Sequence, residues 1–239
     1  MLIGLSRVRN ESLIIEDTLR HMLGYCDNVI IYDDDSDDDT VEKCLSVNRV
    51  TVLKGTPWSL NRQLEETRHR AILLDFAKEA GAEWCLYMDA DERLIGGLPD
   101  MTHDAYRFQL FDGYMTPDHR LEYTSGHLQD LPRLYGPERR DITMLFRADK
   151  SRYLGLDQRE PVVEGHVERA QVFVQHFGKC LSVDHWEETC DYYATFFPEP
   201  YRSKWEGRKG KAIHTASDFG RPLYGFGELL ADSRLHVRI

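Results

Sequence analysis

The chain has no apolar run near the roughly 18 residues that a membrane span needs. It has no Cys-x-x-Cys pair, and its five cysteines (Cys26, Cys44, Cys85, Cys180 and Cys190) are scattered and odd in number. That excludes a disulfide framework and a cysteine zinc site, and it reads as reduced thiols in a cytoplasmic protein. The opening Met1-Leu2-Ile3-Gly4-Leu5-Ser6-Arg7 lacks the basic and apolar regions of a signal peptide. Basic residues are in the minority: 30 Lys and Arg against 41 Asp and Glu give a net charge of −11. Nucleic-acid binding needs a basic surface to release counterions, so that class is excluded.

What is present is ordinary for a globular domain, with 41% hydrophobic and 30% charged residues over 239 positions. The first half alternates in period. Leu2 to Val8, Asn28 to Tyr32, Val50 to Leu53 and Glu83 to Met88 read as strands. Val29, Ile30 and Ile31 are consecutive apolar residues, as when both sheet faces are covered. Between the strands, helices are predicted over Glu11 to Tyr25 with Asn10 as cap, Thr40 to Ser46, and Leu60 to Ala80 ending at Gly81. This order predicts an α/β fold with a mainly parallel central sheet flanked by helices. Tyr106 to Phe111, Met144 to Arg147 and Gln171 to Gln175 predict a mixed extension of the sheet, and residues 198 to 239 read as a tail or lid.

Ligands of such sheets sit outside the carboxyl ends of the strands. Three polar segments fall there: Arg7 to Glu11, Asp33 to Asp39, and Asp89 to Glu92. The last follows the apolar Trp84-Cys85-Leu86-Tyr87-Met88 and places two carboxylates one residue apart. At about 4 Å and an effective dielectric near 20, two such charges repel by roughly 4 kcal/mol. A divalent cation shared with a substrate diphosphate would neutralise them. The aspartate run is a poor EF-hand, with no glycine at the sharp turn and no glutamate at its twelfth position.

Arg7-Val8-Arg9-Asn10-Glu11, Asp33-Asp34-Asp35-Ser36 and Asp89-Ala90-Asp91, in that order, resemble the family 2 glycosyltransferases of the GT-A fold, a Rossmann-like nucleotide-diphospho-sugar transferase fold. The resemblance covers residues 1 to 95 well and the rest thinly. It implies a single domain: a nucleotide-binding half over 1–95, an acceptor-side half over 96–197, and the tail. It further implies a metal-dependent inverting enzyme using a nucleotide-sugar donor, by expectation a UDP-sugar, and a glycan or other hydroxyl acceptor. Asp34 is similar to the residue that accepts the uracil NH, and Arg7, Val8, Arg9 and Glu11 would line that pocket. Asp91 would bind Mn2+ or Mg2+, with Asp89 near the ribose or the metal. His176, in Val174-Gln175-His176-Phe177-Gly178, resembles a further metal or diphosphate contact, with His166 and His185 as rivals. Glu160, in Arg159-Glu160-Pro161-Val162, resembles a His-Glu-Pro-Val segment and would be the base that deprotonates the acceptor. Asp157 is the second choice, and Arg159 standing where the family has His keeps a surface salt bridge open.

Arg68 and Arg70 either face the nucleotide or pair with Glu65 and Glu66. Trp58, Trp186, Tyr192, Tyr193, Phe196 and Phe197 include candidates for sugar stacking, though such clusters mostly form cores. Two other classes remain: a sugar nucleotidyltransferase, against which the glycine-free Ser6-Arg7-Val8-Arg9-Asn10 counts, and a non-catalytic metal- or carbohydrate-binding module.

Overall fold

A computed structural model describes residues 1–55, 62–156 and 158–239. In chain order the elements are β1 (Leu2–Val8), α1 (Ile15–Leu23), β2 (Asn28–Asp33), α2 (Thr40–Leu45), β3 (Val50–Lys54), α3 (Arg62–Glu79), β4 (Trp84–Tyr87), β5 (Glu92–Ile95), β6 (Ala105–Tyr114) and β7 (Leu134–Arg147). Then come β8 (Ser151–Arg152), β9 (Val162–Val163), β10 (Val167–His176), α4 (Val183–Phe196), α5 (Tyr201–Glu206), β11 (Tyr224–Gly225), α6 (Phe226–Ala231) and β12 (Val237–Arg238). They form two compact units that are not sequential. The first holds Met1–Asp91, Gly97–Phe108 and Ile142–Gln171, and the second holds Glu92–Gly96, Gln109–Asp141 and Val172–Ile239.

In the first unit the strand order is β3-β2-β1-β4, with every pair parallel. The end of β7 then adds antiparallel to β4. This is the helix-flanked α/β sheet expected from the sequence. Both faces are covered, which is why these strands read as unbroken apolar runs. On one face Ile3, Leu5, Ile30 and Tyr32 pack with Leu73, Leu74 and Ala77 of α3. On the other, Gly4 lets α1 approach: a Cβ there would stand 2.9 Å from Met22 Cε.

Two helix ends repay comparison with the sequence. Gly81 ends α3 at φ +84°, the left-handed geometry that favours glycine. Helix α1 starts at Ile15 rather than Glu11, because Asn10 does not cap it. Asn10 sits at φ 53° and spends its side chain on the neighbouring loop. Asparagine tolerates this region, and its short polar side chain suits either role.

In the second unit β5 pairs antiparallel with the end of β10, His176 facing Glu92. The start of β7 takes β11 antiparallel and β12 parallel. Residues 198 to 239, expected from composition as a tail or lid, therefore contribute two strands and two helices to this unit. Its core holds Phe111, Tyr114, Tyr135, Phe177, Trp186 and Leu229. Ser182 caps α4, its hydroxyl accepting from His185 N–H at 3.0 Å. Trp186 is fully buried and donates to the Arg208 carbonyl, and Tyr193 stacks on Trp205 at 4.6 Å. Trp186 and Tyr193 are thus packing residues, while Trp58 lies outside the described residues. The five cysteines are buried thiols. Among the described residues no helix is long and apolar enough to cross a membrane.

Candidate functional site

The loops after β1, β2 and β4 emerge side by side in the first unit. Val8 is in register with Asp33, and Leu5 with Tyr87. Asp34 N–H donates to Val8 O at 2.8 Å, and Met88 N–H to Leu5 O at 3.0 Å. The loop after β1 is stitched to the aspartate loop. Asn10 N–H donates to Ser36 Oγ and Asp37 N–H to Asn10 Oδ1, both at 3.0 Å. Ser12 N–H reaches Asp38 Oδ2 at 3.1 Å, and Glu11 N–H reaches Thr40 Oγ1 at 2.8 Å. Burial alone would raise the Asp38 carboxyl, but hydrogen bonds from Thr40 and Ser12 outweigh it and hold it low. Part of the aspartate run therefore acts as loop scaffolding.

Asp34 is buried, its side chain only 1% exposed. Arg7 NH2 donates to its Oδ2 at 2.7 Å, and Arg62 NH2 contacts the same oxygen. His69 Nδ1 lies 3.6 Å from Oδ1, and Arg9 NH1 reaches the Asp34 carbonyl at 3.3 Å. The network continues outward: Arg7 to Glu66 at 3.2 Å, Arg62 to Glu65 at 2.8 Å, Arg70 to Glu66 at 3.6 Å. Arg70 Nε also donates to the Tyr87 hydroxyl at 3.1 Å. Burial works against the Arg70 charge, but Tyr87, Asp89 and Glu66 prevail and hold its pKa raised. His69 stacks on Tyr32 at 4.2 Å. Burial lowers its pKa to about 4, with Arg7 and Arg62 opposing the pull of Asp34. An NH group meeting Asp34 would share that carboxylate with two guanidiniums.

Of the two arginines with open alternatives, Arg70 is buried in this network and makes the expected i,i+4 pair with Glu66, while Arg68 is exposed. Sequence reasoning missed Arg62 and His69. The available signal was helical spacing, since Arg62, Glu66, His69, Arg70 and Leu73 share one face of α3. Val8 is buried in β1.

Asp89 and Asp91 lie in the turn between β4 and β5, both half-buried. The turn is pinned where Thr18 Oγ1 donates to the Ala90 carbonyl at 2.6 Å. Arg159 NH2 stands 3.3 Å from Asp89 Oδ2. Gln158 N–H donates to Thr67 Oγ1 of α3 at 2.8 Å, which brings the Gln158–Glu160 segment to the same region. Glu160 Oε2 accepts from Thr143 N–H at 2.8 Å and lies 4.0 Å from Arg107 Nε. The salt bridge left open for Glu160 thus involves Arg107, while Arg159 reaches Asp89. The Glu160 side chain is 36% exposed. Asp157 lies outside the described residues.

An open cleft of about 690 Å3 borders the aspartate loop, lined by Asp33, Asp35, Asp38, Asp39 and Glu42 with Lys54 as its cation. Its charge repels phosphate.

His176 belongs to the second unit. Its Nδ1 lies 2.6 Å from Asp112 Oδ1, within a half-buried charge cluster. Arg140 contacts the same carboxylate, and Lys179 Nζ bridges Asp112 and Asp218 at 2.7 and 2.6 Å. Burial would raise the Asp112 carboxyl, but Lys179, Arg140 and His176 drive it well below the carboxylate range. Of the rival histidines, His166 is exposed in the first unit and His185 lies in α4.

No family model and no curated protein matches the chain. Among solved structures it is similar to S. aureus TarS, at 14% identity over 86% of this chain and 41% of that one, TM-score 0.45. It is similar to a Desulfovibrio desulfuricans G20 protein designated a nucleotide-diphospho-sugar transferase, at 11% identity over 87% and 94% of the two chains, TM-score 0.41. It is also similar to 4-diphosphocytidyl-2C-methyl-D-erythritol synthase, at 13% identity over 62% and 75%, TM-score 0.37. The chain spans only 41% of TarS, and at these identities and TM-scores no residue's role is transferred from any of the three.

Proposed function

We propose that this chain is a metal-dependent, inverting glycosyltransferase of the GT-A type that moves a sugar from a nucleotide diphosphate, a UDP-sugar, to a hydroxyl on a glycan or other acceptor. One observation carries the reading. The loops after β1, β2 and β4 emerge together at the carboxyl ends of parallel strands, with Arg7 paired to Asp34, Arg159 paired to Asp89, and the Asp89 charge felt by Arg70. Ligands of open parallel sheets bind at such ends.

Asp34 and the Arg7 to Glu11 loop would hold the base, and Arg7 and Arg70 would face the phosphates. Asp91 with Asp89 would hold Mn2+ or Mg2+. Paired carboxylates on a pinned turn are the all-oxygen donor set such ions take, and Arg159 beside Asp89 marks a turn that draws positive charge. When bound there, the ion supplies Lewis-acid stabilisation to the diphosphate leaving group.

Glu160 would take the proton from the acceptor hydroxyl as that oxygen bonds to the anomeric carbon and the bond to the diphosphate breaks. A single displacement of this kind inverts the anomeric centre. Thr143 N–H fixes one Glu160 oxygen and so orients the carboxylate.

Incubation with a UDP-sugar and Mn2+, without acceptor, tests the assignment. Slow release of UDP supports it. Pyrophosphate-dependent exchange would instead assign a nucleotidyltransferase, and absence of any nucleotide binding would leave a non-catalytic binding module.

A further inference from the structure

On the first unit, away from the charge network around Asp34, two histidines and a glutamate come together. His103 lies two residues before β6 and His166 one residue before β10, strands that are neighbours in the sheet. The rings of His103 and His166 are 4.6 Å apart, and His166 Nε2 stands 3.1 Å from Glu168 Oε2. One donor atom from each of the three lies within 4.8 Å of the other two.

The backbone is built to hold this arrangement. Asp104 N–H and Ala105 N–H both donate to the His166 carbonyl, at 3.0 and 3.2 Å. In return, His166 N–H donates to Asp104 Oδ2 at 2.8 Å, while Lys150 fixes the other oxygen at 2.7 Å. Gly165 makes room for that carboxylate: it sits at φ +122°, and a Cβ there would fall on Asp104 Oδ2. On the other strand the Tyr106 hydroxyl accepts from His103 N–H at 3.0 Å and from Thr102 N–H at 2.9 Å. His166 and Glu168 are two residues apart in extended chain, so they project from the same side. His103 meets them from the adjacent strand.

We propose that His103, His166 and Glu168 form a binding site for one Zn2+ ion per chain. Two imidazoles and a carboxylate are donors suited to zinc rather than to magnesium. Ligand atoms about 2.0–2.2 Å from a tetrahedral zinc ion stand about 3.3 Å from one another. The His166–Glu168 separation already matches, and rotation of exposed side chains closes the remainder. Three protein ligands leave a fourth position for water. The ion would clip the starts of β6 and β10 together, so binding stabilises the folded chain. The site shares no residue with the proposed transferase centre and does not depend on that reading.

Calorimetric titration of the chelator-treated full chain with ZnCl2 near pH 7.5 tests this. One ion should bind per chain and raise Tm. His103→Ala, His166→Ala and the nearly isosteric Glu168→Gln should each weaken binding by at least about 10-fold. Gly165→Ala, which displaces Asp104, should weaken it with all three ligands intact. His119→Ala, which removes a histidine outside the cluster, should bind zinc like the wild type. No saturable binding at micromolar zinc, wild-type affinity in His166→Ala, or loss of binding in His119→Ala would each overturn the proposal.

Discussion

Replacing His69 by Phe should flatten the acid side of the stability profile. His69 is buried, 3% exposed, and stacks on Tyr32 near two guanidiniums. In the folded chain it stays neutral down to about pH 4, whereas an unperturbed imidazole takes a proton near 6.5. Between those values the unfolded chain holds more protons. Stability therefore falls as the pH drops from about 6.5 through 4, and the contribution levels off below. At about 1.4 kcal/mol per pH unit, the gap corresponds to about 3 kcal/mol, of which about 2 kcal/mol is lost between pH 7 and 4.5. His69→Phe keeps a ring against Tyr32 and has no proton to gain. Urea unfolding of both proteins at pH 7 and pH 4.5 reads the difference directly, since carboxylates common to both cancel. The wild type should lose about 2 kcal/mol more than the variant over that interval. Equal losses, or an imidazole that titrates near 6.5 by NMR, would refute the desolvated site around Asp34.

Two further outcomes follow from the charge clusters. Glu160→Gln should keep nucleotide affinity and lose glycosyl transfer by at least about 100-fold, the scale of general-base assistance; normal turnover would move the base elsewhere. Lys179→Met removes the cation shared by Asp112 and Asp218. It should cost about 1–2 kcal/mol of stability in chemical denaturation, less than breaking a fully buried pair, because the cluster is half-buried and Arg140, His176 and Arg208 remain.

The strands β1, β2 and β4 were legible because burial of both faces leaves continuous apolar runs. The loops at their ends were legible because polar residues stop those runs abruptly. The start of α1 was not, since Asn10 serves a cap and a left-handed turn equally well. Strand β5 was hidden because its first residues, Glu92 and Arg93, are charged yet buried. Only the last residues of β7 stood out, the stretch Glu138–Asp141 having no apolar alternation. Helix α3 carries polar residues inward at its start and apolar ones at its end, so no single stripe marks its buried face. Within the candidate site, the aspartates were visible as motifs. Their partners were less so: Arg62 showed only in the helical spacing of α3, and Arg159 and Thr67 are brought in by tertiary packing that no local pattern encodes. The pairing of Arg107 rather than Arg159 with Glu160 belongs to the same class.

The central claim is that the turn carrying Asp89 and Asp91 and the loop carrying Asp34 hold a nucleotide diphosphate with a divalent cation. Thermal unfolding of the wild type and Asp91→Ala with UDP, with Mn2+, and with both measures it most directly. The account predicts a rise in Tm for the wild type only when both are present, about 3 kcal/mol of stabilisation at one hundred times Kd, and none for Asp91→Ala. Stabilisation by UDP alone, or an equal rise in the variant, would contradict it.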